Sequence, residues 1–145
     1  MSGRTDRLVL FICVENACRS LMAEAIFNVD PPTGWRAISA GTRPADRPNL
    51  RTGPMLEEIG VPLPAHLPVL LTREMMDTAG IRVNMGCVDD ASCPVHLREV
   101  ALRDWNLEDP ARLDDTGFRR LRDRLVDCVE DLRRELVLAD RRARA

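Results

Sequence analysis

The sequence predicts a three-layer α/β domain in which a four-stranded parallel sheet is flanked by helices. Strand-like and helix-like segments alternate along the 145 residues. The first strand, residues 8–12, is a continuous apolar run typical of a parallel strand that is covered on both faces. Hydrophobic residues make up 45% of the chain and charged residues 30%, so we expect one globular domain spanning residues 1–145.

The first half of the chain supplies two strands and two helices. A helix is predicted over residues 22–29, where apolar residues recur at helical spacing ahead of two prolines. Residues 36–40 form a second strand that Gly41 closes. Asn49 is a suitable cap for a second helix, which should end at Gly60.

The second half adds two helices, two strands and two polar loops. In chain order these are a helix at 73–79, a strand at 81–85, a loop at 86–96, a strand at 99–103, a loop at 104–115 and a long helix from Thr116. Parallel sheets of this kind bind ligands at the carboxyl ends of their strands. The loops that follow the strands should therefore meet at one edge of the sheet.

Charge and hydropathy exclude several classes of partner. The net charge is −2, with 21 basic residues interleaved among 23 acidic ones, which argues against nucleic acid binding. No apolar run approaches the ~20 residues needed to span a bilayer, so we expect a cytoplasmic protein without a membrane partner, and a monomer. Five cysteines is an odd number, which favours reactive or buried thiols over a disulfide framework.

The strongest chemical signal is a loop between the first strand and the first helix. It reads Cys13-Val14-Glu15-Asn16-Ala17-Cys18-Arg19-Ser20. The backbone N–H groups of such a loop, together with the start of the following helix, can bind a tetrahedral oxyanion, and Arg19 can hold two of its oxygens. This setting favours the thiolate of Cys13, towards which Ser20 could donate. The alternative is a buried Cys13 without chemistry and a solvated Arg19.

These residues resemble a known family. The CVENACRS loop with the following LMAEA, the segment Ser39-Ala40-Gly41 and the WNLEDPA segment at residues 105–111 are similar to the signatures of low-molecular-weight tyrosine phosphatases and of the arsenate reductases that share their fold. The resemblance covers nearly the whole chain and implies a flavodoxin-like architecture. It also implies that Asp109 is the general acid, with Asp104 and Glu108 as competing carboxylates.

Two further cysteines, Cys87 and Cys93, resemble the redox-cysteine loop of thioredoxin-coupled arsenate reductases. The resemblance implies that Cys13 attacks arsenate, that Cys87 then attacks Cys13 and releases arsenite, and that Cys93 forms a Cys87–Cys93 disulfide for thioredoxin to reduce. A low-molecular-weight thiol with a glutaredoxin-like protein is the other donor considered. A tyrosine phosphatase that uses Cys13, Arg19 and Asp109 is the alternative function, and a non-catalytic oxyanion or redox sensor is a third.

Other titratable residues receive lesser roles. Cys87, Cys93 and His96 could instead ligate zinc, although the spacing is wide and a fourth ligand is not evident. No cofactor is expected apart from a potassium ion, which the resemblance places near Asn16, Glu24 and Ser39. Pro62 stands where relatives carry an acidic ligand for this ion. The remaining expectations are a dispensable Cys18, a core Cys128, and His66 and His96 without a role.

Overall fold

The computed structural model describes residues 6–86 and 102–144. In chain order the elements are β1 (Arg7–Cys13), α1 (Arg19–Val29), β2 (Trp35–Gly41), α2 (Thr52–Glu57), α3 (Arg73–Thr78), β3 (Ile81–Asn84), β4 (Arg103–Asp104), a 3₁₀ turn (Pro110–Arg112) and α4 (Asp115–Arg144). The alternation of strands and helices that the sequence predicts is confirmed.

The four strands form one sheet in the order β2-β1-β3-β4, and every pair is parallel. In the register, Cys13 lies opposite Gly41 and Ile12 lies opposite Asn84, while Asn84 pairs with Asp104. Because all strands run in one direction, these residues lie together at the carboxyl edge of the sheet. The loop that follows Cys13 is therefore at the centre of this edge.

Alternate residues of β1 enter two separate hydrophobic clusters, as the period of a strand requires. Val9 and Phe11 pack in the larger cluster, with α1 and α4. Leu10 and Ile12 pack in the smaller cluster, with Met76 of α3. The strand is covered on both faces, which explains its continuous apolar sequence.

The long helix α4 has one buried face. Its buried apolar residues recur every three or four positions and are Phe118, Leu121, Leu125, Val129, Leu132 and Leu136. Arg122 is also buried on this helix, where its guanidinium donates to the carbonyl of Met55 and to the Glu58 carboxylate. Among the described residues, no helix combines the length and the apolar character needed to cross a membrane.

The second helix and the fourth strand differ from their predicted bounds. Asn49 does not cap α2, because the residue before that helix is Arg51 and the helix ends at Glu57. The fourth strand, predicted at residues 99–103, is observed as Arg103–Asp104, and residues 99–101 lie outside the described part of the chain.

Candidate active site

Cys13 is the last residue of β1 and lies at the base of the loop formed by residues 13–19, with its side chain 3% exposed. Its Sγ lies 2.8 Å from the hydroxyl Oγ of Ser20, and the backbone N–H of Asn16 donates to the same sulfur at 3.2 Å. The Cys13 sulfur therefore lies within hydrogen-bond distance of the Ser20 hydroxyl and of a backbone N–H of the same loop. We refer to residues 13–19 as the oxyanion loop.

Asn16 holds the oxyanion loop in its shape. Its φ of 51° lies in the left-handed region, which asparagine enters more readily than most residues. Its side-chain amide donates to the Ser20 hydroxyl at 2.7 Å, and its amide oxygen accepts from the N–H of Val69 at 2.8 Å. The side chains of Asn16 and Ser20 are fully buried behind the loop, so they support it from within.

A pocket of about 290 Å³ opens above Cys13. Its lining residues are Cys13, Val14, Glu15, Ala17, Cys18, Arg19, Arg43, Asn49, Gly86, Asp109, Pro110 and Ala111. The structure thus brings together Cys13, Arg19 and Asp109, which the sequence singled out. Arg43 and Asn49 are additional members that sequence reasoning missed, because no motif in the segment after β2 marks these two residues.

Arg19 begins α1 and lies against the backbone of Gly86. A Cβ atom at position 86 would lie 2.5 Å from Nη1 of Arg19, and the same Nη1 is 3.5 Å from the carbonyl oxygen of Leu107. Gly86 has a φ of 129°, which side-chain-bearing residues rarely adopt. A glycine at this position therefore leaves room for the guanidinium beside the oxyanion loop.

Asp109 precedes the 3₁₀ turn and is exposed at the mouth of the pocket. One of its carboxylate oxygens accepts from the N–H of Ala111 at 3.0 Å. The competing carboxylates stand apart, since Asp104 accepts from the Asn84 side chain at 2.8 Å and neither Asp104 nor Glu108 lines the pocket. Glu15 is the other carboxylate of the lining.

Cys87, Cys93 and His96 lie outside the described residues. The relay and the alternative zinc site that involve them therefore stay predictions. Within residues 6–86 and 102–144, no group of three or more His, Cys, Asp or Glu side chains is arranged to hold a metal ion.

The two remaining cysteines are poorly suited to be nucleophiles. Cys18 is 6% exposed, and burial raises the pKa of its thiol to about 12, so it stays protonated at neutral pH. Burial also raises the pKa of Cys128. Cys128 is half-buried on α4, which corrects the prediction of a core residue.

His66 is not a bystander, contrary to the sequence-based expectation. Its Nε2 lies 2.7 and 3.0 Å from the two carboxylate oxygens of Glu24, which is buried on α1, and its Nδ1 lies 2.8 Å from the carbonyl of Leu67. Partial burial lowers the pKa of His66, but the hydrogen bonds to Leu67 and Glu24 outweigh it, so this pKa lies above its ordinary value of 6.5.

The residues expected to bind potassium already have other partners. The Glu24 carboxylate accepts from the Ser39 hydroxyl at 2.7 Å and faces His66, and the amide oxygen of Asn16 accepts from Val69. The histidine nitrogen thus faces the carboxylate that the cation would need. These contacts occupy oxygens that a cation would need, so we derive no step through potassium, and potassium binding stays a prediction.

The raised pKa of His66 predicts a pH-dependent contribution to stability. A group whose pKa is higher in the folded state stabilises the fold fully below its unfolded pKa, and this contribution is lost as the pH rises through the folded pKa. We expect His66→Gln to lower the free energy of unfolding by about 1 kcal/mol at about pH 6, because the pair is partly exposed. The difference should shrink by about pH 9, as measured by urea unfolding of both proteins.

The other titrating groups are present in both proteins, so their contributions to the pH dependence of stability cancel in this comparison. A destabilisation by His66→Gln that is the same at both pH values would show that the contact with Glu24 does not depend on the imidazolium.

Comparisons with known proteins identify a family that matches nearly the whole chain. The family model described as low molecular weight phosphotyrosine protein phosphatase matches residues 8–142. Arsenate reductase 1 of Staphylococcus epidermidis is 30% identical over 124 residues, which cover 86% of this chain and 93% of that protein.

Solved structures with the same fold include enzymes of two kinds. The thioredoxin-dependent arsenate reductase of Corynebacterium glutamicum is 27% identical with a TM-score of 0.77, covering 94% of this chain and 65% of that one. The arginine phosphatase of Geobacillus stearothermophilus has a TM-score of 0.79 at 24% identity, covering 92% of this chain and 94% of that one. At this identity the likeness shows a shared fold and not a shared activity.

Proposed function

The chain belongs to the low molecular weight phosphotyrosine protein phosphatase family, and from this premise we propose that it reduces arsenate to arsenite with Cys13 as the nucleophile. The observation that carries the proposal is the pocket in which Cys13, Arg19 and Asp109 meet around an oxyanion loop. The similarity to arsenate reductases supports arsenic as the reacting element.

The first step forms a bond between the Cys13 sulfur and arsenic. Arsenate binds the N–H groups of the oxyanion loop, and Arg19 pairs with two of its oxygens. The Cys13 thiolate attacks arsenic, and Asp109 donates a proton to the departing oxygen, which leaves as water. In the structure, Ser20 and the N–H of Asn16 face this sulfur.

The second step moves two electrons to arsenic. The thiolate of Cys87 attacks the Cys13 sulfur, the S–As bond breaks, and its electron pair stays with arsenic, which leaves as arsenite. Cys93 then attacks Cys87, which frees Cys13 and forms a Cys87–Cys93 disulfide. Thioredoxin reduces this disulfide by dithiol exchange, so each arsenite released consumes one thioredoxin dithiol. A low-molecular-weight thiol with a glutaredoxin-like protein is the alternative donor.

Phosphate ester hydrolysis is the second candidate, because the same three residues suffice for it. The described lining of the pocket contains no aromatic side chain with which an aryl phosphate could stack. The chain has no tyrosine, and the ring of Trp105 contacts Phe11 in the core, with 5.4 Å between the ring centroids. This lining favours a small inorganic oxyanion.

The test is arsenate-dependent oxidation of NADPH in the presence of thioredoxin and thioredoxin reductase, with Cys87→Ser and Cys93→Ser run beside the wild type. We expect turnover by the wild type and none by either variant. A parallel assay replaces thioredoxin by glutathione and glutaredoxin. Hydrolysis of p-nitrophenyl phosphate is measured on the same preparations.

The outcomes separate the candidates. If Cys93→Ser turns over with glutathione and glutaredoxin but not with thioredoxin, the electron donor is a low-molecular-weight thiol with a glutaredoxin-like protein. Hydrolysis of p-nitrophenyl phosphate without arsenate reduction by any donor would make this chain a phosphatase. Inactivity in all assays by a folded protein that binds phosphate would favour a sensor.

A further inference from the structure

We propose that Arg51 is a positioning residue that holds residues 108–113, which we call the Asp109 loop, over Cys13. Arg51 lies in the segment of residues 49–52, between the oxyanion loop and residues 109–113, and contacts the backbone of the latter through its guanidinium. The inference rests on the acid role given to Asp109 in the proposed function.

The segment of residues 49–52 is attached to the oxyanion loop at one carbonyl group. The N–H of Asn49 donates to the carbonyl of Ala17 at 2.9 Å, and the hydroxyl of Thr52 donates to the same oxygen at 2.8 Å. Thr52 is fully buried, and the N–H of Arg51 donates to the Asn49 side chain at 2.9 Å. The backbone of Arg51 is therefore fixed relative to the oxyanion loop.

The guanidinium of Arg51 contacts the Asp109 loop. Its Nη1 donates to the carbonyl of Leu113 at 2.6 Å, and its Nη2 donates to the carbonyl of Pro110 at 3.0 Å. These carbonyls stand at the two ends of the 3₁₀ turn that Asp109 precedes. The planar group also lies over the ring of Phe118, with Cζ 4.6 Å from the ring centroid, and 3.7 Å from the Asp115 carboxylate.

The Asp109 loop has little buried surface, although Leu113 is partly buried against the larger hydrophobic cluster. Of residues 108–113, only Pro110 is buried. A loop with little buried surface depends on hydrogen bonds for its position, and the fork of an arginine can hold two carbonyls at a set separation. A lysine carries its donors on a single nitrogen, so it cannot place one nitrogen against each carbonyl as the guanidinium does. Arg51 thus links the structure that binds the oxyanion to the residue that protonates its departing oxygen.

Position is the property on which this chemistry depends. A general acid contributes about 10² to 10⁴-fold to a rate, and a misplacement of about 1 Å can cost about 10²-fold. Because Arg51 does not line the pocket, its loss should spare oxyanion binding. We expect Arg51→Met to lower the rate of the chemical step by about 10 to 100-fold with little change in affinity for phosphate.

The experiment is a double-mutant cycle of Arg51→Met, Asp109→Asn and the combined variant. The rate is that of thiol oxidation when reduced enzyme meets saturating arsenate in a single turnover, or of p-nitrophenyl phosphate hydrolysis if the wild type is a phosphatase. The affinity is that of inorganic phosphate, measured by protection of Cys13 from iodoacetamide. If Arg51 acts through Asp109, the combined variant is no slower than Asp109→Asn alone.

Two variants control for charge and folding. Arg119→Met removes a guanidinium that pairs with Glu58 at 2.8 Å, away from the pocket, and should keep the wild-type rate. Arg51→Lys keeps the charge without the fork and should be slow like Arg51→Met. An Arg51→Lys variant with the wild-type rate would contradict the role of the two-carbonyl contact. Far-ultraviolet circular dichroism that matches the wild type shows that this variant is folded.

The outcomes also separate this inference from the proposed function. A wild-type rate for Asp109→Asn would overturn the acid role and this inference together. Three other outcomes would overturn the role of Arg51 alone. The first is a slow Asp109→Asn variant beside an Arg51→Met variant with the wild-type rate, and the second is a combined loss of rate equal to the product of the two single losses. The third is a loss of phosphate affinity in Arg51→Met.

Discussion

Replacing Cys13 by serine abolishes arsenate reduction, with an expected loss of about 10⁶-fold, as found when a catalytic nucleophile is removed. A serine hydroxyl is a weak nucleophile in this environment, and it cannot form the disulfide through which, in the proposed function, arsenic receives two electrons. The measurement is arsenite released per enzyme in a single turnover with reduced protein. Phosphate affinity should persist, since the N–H groups and Arg19 remain.

Cys18→Ala is the matched control, because Cys18 is a buried thiol of the same loop. Its thiol stays protonated at neutral pH, since burial raises its pKa to about 12. We expect this variant to keep most of the turnover. Loss of turnover in Cys18→Ala equal to that in Cys13→Ser would contradict the assignment of a single nucleophile.

The second large effect is expected for Gly41→Ala. A Cβ atom at position 41 would lie 2.5 Å from the carbonyl oxygen of Val14 and 2.9 Å from the backbone nitrogen of Asn16. Both are backbone atoms of the oxyanion loop, so the clash with the added methyl group cannot be relieved by rotation of a side chain. We expect a loss of about 3 kcal/mol in the free energy of unfolding and, in the protein that still folds, a fall in turnover of about 10²-fold.

The measurements are urea unfolding and single-turnover arsenite release. Gly53→Ala is the control, because its Cβ would meet only the Leu63 side chain at 3.8 Å. The free energy of unfolding of this control should change by less than about 1 kcal/mol. Equal effects of the two substitutions would show that the close approach of Gly41 to the loop does not matter.

The sheet and the oxyanion loop could be predicted because their signals are local. The apolar run of β1 and the residues from Cys13 to Ser20 are contiguous, so strand, loop and helix follow one another in the sequence as they do in the structure. Asn49 shows the limit of such reasoning. Its type suits a helix cap, yet its N–H and side chain bind Ala17 and Arg51 instead.

The contacts of His66 and Arg51 could not be predicted because their partners are distant in sequence. His66 meets Glu24 across 42 positions, and Arg51 meets Pro110 and Leu113 across 59 and 62 positions. Nothing in the neighbouring sequence marks either residue. A histidine and an arginine in polar segments have the composition of an ordinary solvated surface until the fold brings their partners near.

The placement of β1 between β2 and β3 also affects the order in which the chain acquires its structure. The β1–α1–β2 unit, residues 7–41, contains the whole oxyanion loop within a short stretch of chain, whereas the Asp109 loop joins it through contacts of long sequence separation. Closing a longer loop costs more conformational entropy before any contact stabilises it. The topology therefore favours a folding sequence in which the loop that carries Cys13 forms early and the loop that carries Asp109 is added last.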